Sequence, residues 1–273
     1  MDLNKIYNMD CLEGLKSLED KSIDLVLTSP PYDNLRTYEG IGDEWNFTAF
    51  TMIAEQLFRV LKDNGVIVWV VGDATIDGCE TGTSFKQALH FVSLGLNLHD
   101  TMIYYKDNPR PIGGSNRYYQ SFEYMFVLSK GAPKTFNALT EPRRNKWNDT
   151  RTERVRYVQR NADGSTVKKS VKINTEDPKR RNVWCYTMGQ SDHTGHPAVF
   201  PYKLALDHIC SWSNKGDVVL DPFMGSGTTA MACAQIGRKF IGFEKNVNYY
   251  KAANERLRKF TGPFRIYGNI GIE

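Results

Sequence analysis

Cysteine is scarce and dispersed in this chain of 273 residues. Cys11, Cys79, Cys185, Cys210 and Cys233 contain no C-x-x-C pair, which argues against a disulfide framework or a thiolate zinc site and for a reducing compartment. Long apolar runs are missing too. The longest purely aliphatic or aromatic stretch, Val66 to Val71, is far short of the roughly 20 residues a membrane-spanning helix needs. The opening residues MDLNKIYNMD hold no basic stretch followed by an apolar one, so no secretory leader and no membrane partner are expected, and a cytoplasmic location is. There is no internal repeat and no low-complexity tract. His193 and His196 have metal-like spacing, but no acid or thiol partner is implied for them, so no metal site is expected.

The charge that is present is unevenly placed. Formal net charge is +4, but residues 141–190 hold 13 Lys/Arg against 6 Asp/Glu, leaving the rest of the chain at 22 against 25. All the positive excess thus sits in one mid-chain block, which points to a polyanionic partner met by one lobe. On either side of that block, strand and helix patterns alternate. Strands are expected at Lys5–Asn8, Ile23–Thr28, Val66–Val71, Leu98–Tyr105, Glu123–Leu128, Val218–Leu220 and Lys239–Phe243. Helices are expected at Cys11–Leu18, around Phe50–Leu61 with a stop at Asp63-Asn64-Gly65, at Phe85–Leu94, Tyr202–Ser211 and Gly227–Gln235, and from Val247, burying Tyr250, Leu257 and Phe260. From about Lys130 to Gln190 no steady period appears. Such alternation implies an α/β fold with a mostly parallel sheet, helices on both faces and an inserted basic lobe.

Two motifs carry chemistry. Asp221-Pro-Phe-Met-Gly-Ser-Gly-Thr-Thr229 follows an apolar strand and opens a helix. Gly225 and Gly227 allow a tight turn and close backbone approach to a ligand at the positive end of that helix. Glu244 ends the next strand, 19 residues after Gly225, where an acid can accept from ribose hydroxyls. The segment also fits the G-x-G-x-x-G/A dinucleotide pattern, so an oxidoreductase is one reading. Asp221 at the strand tip suits instead a nucleoside with a cationic, amino-acid-like arm. Thr28-Ser29-Pro30-Pro31-Tyr32 sits at the end of another buried strand. Two prolines remove two N–H donors, so the carbonyls of Ser29 and Pro30 face outward as acceptors for an exocyclic amine, with Ser29 Oγ as a further acceptor and Tyr32 as a stacking face. A plain Pro-Pro turn with a packed tyrosine is the alternative.

Together the two motifs resemble the S-adenosylmethionine-dependent DNA amino-methyltransferases in their circularly permuted β arrangement: catalytic motif first, target recognition region second, cofactor motif last. Asn8-Met-Asp-Cys-Leu-Glu-Gly-Leu15 is similar to the family's adenine-contacting turn, and His196-Pro-Ala-Val-Phe-Pro201 to the motif flanking the methionine moiety. The resemblance implies a Rossmann-like methyltransferase fold with a seven-stranded sheet, in which residues 1–130 and 191–273 form the catalytic domain and residues 131–190 the recognition insertion. It implies Ser29, Pro30, Pro31 and Tyr32 as catalytic residues. For S-adenosyl-L-methionine it implies Asp10, Cys11, Thr28, His196, Phe200, Asp221, Phe223, Gly225, Ser226, Gly227, Thr228, Thr229 and Glu244. Double-stranded DNA is the implied partner, and the family admits a cognate restriction endonuclease and a homodimer besides. Serine before Pro-Pro-Tyr is typical of enzymes forming N4-methylcytosine, and adenine-N6 methylation is the alternative. The carbon-5 class requires a Pro-Cys nucleophile, and no cysteine here follows a proline.

Overall fold

The structure, a computed structural model, describes residues 1–31, 45–109, 116–141, 154–161, 163–172, 179–187 and 201–261. In chain order its elements are β1 (Lys5–Tyr7), α1 (Cys11–Lys16), β2 (Ile23–Thr28), α2 (Phe47–Val60), β3 (Leu61–Val71), β4 (Thr75–Ile76), β5 (Cys79–Glu80), α3 (Thr83–Ser93), β6 (Asn97–Lys106) and β7 (Phe122–Ser129). There follow β8 (Arg154–Arg160), β9 (Thr166–Lys172), β10 (Val183–Tyr186), α4 (Tyr202–Trp212), β11 (Val218–Asp221), α5 (Thr228–Ile236), β12 (Lys239–Phe243) and α6 (Val247–Thr261). The chain divides into two units, Met1–Asn137 with Asn182–Glu273, and Ala138–Arg181.

The larger unit is built on an eight-stranded sheet in the order β1-β12-β11-β2-β3-β7-β6-β10, in which β7 alone runs antiparallel to its neighbours. The C-terminal strands β11 and β12 therefore lie between the N-terminal β1 and β2. One strand exceeds the expected seven. It is β10, which pairs in parallel with β6 and lies inside the stretch that the sequence pattern leaves without a period. Four residues between a basic run and a polar one, Val183-Trp-Cys-Tyr186, are too few to set a pattern.

Why β3 reads as one apolar run is visible in its packing. Ile67, Trp69 and Val71 join a core with Phe50, Ile53, Leu57 and Val60 of α2, Leu15 of α1 and Phe91 of α3. Val66, Val68 and Val70 alternate to the other face and are equally buried, as period-two side chains of a sheet covered on both faces must be. Each such large side chain contributes about 1.5–3 kcal/mol by leaving water. Asn46 caps α2, its side chain accepting from Ala49 N–H at 3.0 Å. Asp63-Asn64-Gly65 does not stop that helix. The helix ends at Val60, and the triplet lies within β3, where Leu61 pairs with Ile23 but Val66 with Leu25, an irregularity that puts Asn64 at φ 65°. In α6 the buried residue is Ala253, while Tyr250, Leu257 and Phe260 are half-buried. The helix runs over the glycine turn, where only a small side chain fits against Gly227.

In the smaller unit β8 and β9 form an antiparallel hairpin, pairing Arg154 with Lys172 through to Arg160 with Thr166. The turn is fixed by Asp163, whose Oδ1 accepts from Ser165 N–H at 2.8 Å, and by Gly164 at φ 83°. Arg181 donates to Glu141 at 3.0 Å. The hairpin escapes the sequence pattern because Tyr157-Val158 and Lys168-Lys169 break the alternation on both strands.

Candidate active site

Four neighbouring parallel strands, β1, β12, β11 and β2, end at one edge of the sheet, the edge where open α/β sheets bind ligands. Each delivers an expected residue there: Asp10 after β1, Glu244 after β12, the glycine turn after β11 and Ser29 after β2.

The glycine turn is held from three sides. Gly225 and Gly227 adopt φ 52° and 84°, conformations that strain any side chain. A Cβ on Gly227 would come within 3.1 Å of the Ala253 Cβ. Gly225 N–H donates to Glu244 Oε2 at 2.8 Å, Met224 N–H to the Phe243 carbonyl at 2.9 Å, and Arg256 Nη1 to the Ser226 carbonyl at 2.5 Å. Glu244 is 7 % exposed, and its Oε1 accepts from Asn246 N–H at 2.8 Å. Burial outweighs both bonds and holds its carboxyl above the usual range. Two protein donors leave a carboxylate further lone pairs for a ligand hydroxyl. Asn8 Nδ2 donates to the carbonyls of Glu244 and Lys245 at 2.8 and 3.0 Å, joining the ends of β1 and β12.

Asp10 caps α1 through Leu12 N–H at 2.8 Å. Its side chain is 40 % exposed, and Lys245 Nζ stands 3.8 Å from Oδ2. Cys11 is pushed up to about 12 by burial and packs against the core. Its thiol is therefore a protonated filler at neutral pH. Phe223 meets Trp45 edge-on at 5.3 Å between ring centroids and lies 6.4 Å from Trp69, so it anchors the turn in the aromatic core.

Asp221 is the residue expected to meet a cationic ligand arm. It is 1 % exposed. Its Oδ1 accepts from the Thr28 hydroxyl at 2.7 Å and Phe223 N–H at 3.1 Å, and its Oδ2 from the Thr229 hydroxyl at 2.7 Å. Thr28 and Thr229, expected to face the cofactor, thus spend their hydroxyls on this carboxylate. Burial still raises Asp221 to about 6 against the pull of these three donors. Thr228 and Ser226 are buried in the turn, and Thr228 Oγ1 has no hydrogen-bond partner among the described residues. Pro30 and Pro31 are buried and Ser29 is half-buried. Tyr32, His196 and Phe200 lie outside the described residues.

Asn8, Trp45, Asn246 and Arg256 shape this site without having been singled out from the sequence. Asn8 opens the Asn8–Leu15 segment whose resemblance points to the adenine. Arg256 sits in a polar helical stretch whose composition says nothing about a carbonyl 30 positions earlier.

The order of strands, the single antiparallel strand and the glycine turn beside an acid define a Rossmann-like α/β enzyme of the methyltransferase type. A protein-family model described as DNA methylase, N6/N4 type, matches residues 23–255, and the chain belongs to that family of DNA methyltransferases. It is 49 % identical over 252 residues to the orphan methyltransferase M.BamHII of Bacillus amyloliquefaciens, covering 90 % of this chain and 92 % of that protein. Among solved structures it is similar to the M1.HpyAVI–SAM complex, with 25 % identity and TM-score 0.61 over 93 % of this chain and 98 % of that one. The PvuII cytosine-N4-specific DNA methyltransferase shares the fold, with TM-score 0.69 at 20 % identity over 94 % and 90 % of the two chains. Among the described residues no helix is long and apolar enough to cross a membrane, and no cluster of three metal-ligating side chains occurs.

Proposed function

We propose that this chain is a site-specific DNA amino-methyltransferase that uses S-adenosyl-L-methionine and places the methyl group on N4 of a flipped cytosine. The observation that carries the reading is the adjacency of the Thr28-Ser-Pro-Pro turn and the glycine turn, joined by the Thr28–Asp221 hydrogen bond. A turn of acceptors for an amine lies beside a turn for the donor.

The residues at the second turn suit this cofactor. Asp10, Asp221 and Glu244 lie on or beside it, and residues 221–229 include no Lys or Arg. Such a surrounding favours a ligand carrying positive charge over a pyrophosphate. Glu244 would accept from the ribose hydroxyls, Asp10 and the start of α1 would lie at the adenine, and Gly225 to Thr228 would border the amino-acid arm. When bound, S-adenosylmethionine supplies a methyl group already activated on a sulfonium. Ser29 Oγ and the Pro30 carbonyl accept the N–H bonds of the target amine, orienting its lone pair and stabilising the positive charge that develops on nitrogen. Tyr32 stacks on the flipped base. Ser29 carries no charge, which suits the cytosine amine, whereas a carboxylate at this position would point to adenine N6.

The basic block meets the duplex. The strands β8 and β9 carry Arg154, Arg156, Arg160, Lys168, Lys169 and Lys172 and no acid, and a two-stranded ribbon is narrow enough for a major groove. Its cations supply phosphate contacts that position the enzyme, and fewer side chains specify the sequence.

Titration calorimetry with S-adenosylmethionine and with NAD tests the cofactor. The reading expects saturable binding of the first and none of the second, and the reverse result returns the site to dinucleotide chemistry. Transfer of labelled methyl from S-adenosylmethionine to unmethylated duplex DNA tests the reaction, and absence of transfer overturns it.

A further inference from the structure

Thr28 is the last residue of β2, immediately before Ser29. Asp221 is the last residue of β11, and Thr229 lies in the first turn of α5. All three are shielded from solvent, Thr28 and Thr229 completely. The backbone ladder between β2 and β11 pairs Leu25 with Val219 and Val26 with Leu220. Beyond it the tie is continued by side chains: Thr28 Oγ1 to Asp221 Oδ1, and Thr229 Oγ1 to Asp221 Oδ2, both 2.7 Å. One carboxylate thus bonds the strand that presents the catalytic turn to the helix that begins at the glycine turn, across 193 positions of sequence.

We propose that Thr28 is a positioning residue, which through Asp221 fixes the Ser29–Pro31 turn against the glycine turn so that the acceptor amine and the methyl donor are oriented by one rigid unit. The inference rests on the methyltransferase reading and deepens it. A buried carboxylate is a good anchor for this purpose. Its two oxygens accept in fixed directions, and the apolar surroundings strengthen each bond. Both threonines are β-branched, so few rotamers compete with the bonded one. A displacement of the turn by a fraction of an ångström is felt mainly in the rate, because near-attack geometry, not ground-state binding, depends on it.

The test is steady-state methyl transfer to DNA together with calorimetric S-adenosylmethionine binding for the wild type, Thr28→Val, Thr28→Ser and Asp221→Asn, and for the double variant of Thr28→Val with Asp221→Asn. Thr28→Val keeps the side-chain shape and removes the donor. We expect kcat to fall by about tenfold or more, the cofactor Kd to change by less than about threefold, and Thr28→Ser to recover most of kcat. In the Asp221→Asn background the Thr28→Val step should lower kcat by less than about twofold, since two residues acting through one another are not additive. Full kcat in Thr28→Val overturns the inference, as does an equal loss in both backgrounds, or a loss of affinity as large as the loss of rate. Should Thr28→Val not fold, Thr28→Ala carries the same test with a smaller side chain. Failure of both to fold makes Thr28 a structural prop and refutes the proposal. A wild-type enzyme that moves no methyl to DNA would refute the functional reading itself, a result distinct from all of these.

Discussion

Replacing Asp221 by asparagine keeps the shape of the side chain and removes its charge, and its consequence for stability has a definite sign. In the folded protein burial raises the carboxyl from 3.8 to about 6, so in that interval the native state binds more protons than the unfolded chain. Stability from this group is fully present below pH 3.8 and is lost as pH rises through about 6. Two units at 1.36 kcal/mol each correspond to about 3 kcal/mol. Three hydrogen bonds are already included in that balance, which means that desolvation of the anion outweighs them. Asp221→Asn lacks the titration. Urea unfolding of both proteins between pH 4 and pH 8 should show the variant gaining on the wild type by about 2–2.5 kcal/mol, the remainder of the roughly 3 kcal/mol being lost already below pH 4, and then running parallel to it. Removing the Asp221 charge also eases the neighbouring Glu244, which adds to the change with the same sign. A stability difference independent of pH would refute the reasoning, because it would mean that the carboxyl titrates alike in folded and unfolded chains.

Other outcomes follow from the same geometry. Gly227→Ala forces a side chain into φ 84° and against Ala253, so it should cost about 1–3 kcal/mol in thermal or urea unfolding and weaken S-adenosylmethionine binding; an unchanged melting temperature would contradict the packing described. Tyr32→Ala should lower kcat/KM by about tenfold or more through lost base stacking, with the cofactor Kd measured by calorimetry unchanged. DNA affinity measured by fluorescence anisotropy should fall steeply with salt, with a log–log slope steeper than about −4, and alanine at Arg160 or Lys168 should each reduce that slope by up to about 1. A flat dependence would remove the basic block from DNA binding.

The sheet was legible where apolar residues run long enough to set a period. Ile23–Thr28 and Val66–Val71 announce buried parallel strands, and the glycine turn declares its own strand and helix because φ above zero needs glycine there. Elements set among polar and basic residues were not legible. β10 lies between a basic run and a polar one, and the β8–β9 hairpin mixes valine with cations at uneven spacing, so neither differs from a solvated loop by pattern alone. Within the site, Glu244 and the two glycines could be placed from motif spacing, since strand ends and acids follow the chain locally, whereas Asp10 came from the family resemblance of its segment. What Asp221 touches could not. Its partners include a threonine 193 positions away, and only the parallel neighbourhood of β2 and β11 reveals that the acid accepts from the protein's own hydroxyls. Arg256 was hidden for the same reason. A helix that looks merely polar in sequence supplies the cation that holds the Ser226 carbonyl.

The identity of the modified base decides whether Ser29 holds a cytosine amine. The protein is expressed in a host that lacks DNA methylation, genomic DNA is digested to nucleosides, and methylated species are quantified by mass spectrometry. N4-methylcytosine is the expected product, formed only when the intact Ser29–Tyr32 turn is present. N6-methyladenine would contradict the argument from the uncharged serine while leaving the fold and family in place. The absence of any methylated base from a folded, cofactor-binding protein would contradict the proposed reaction.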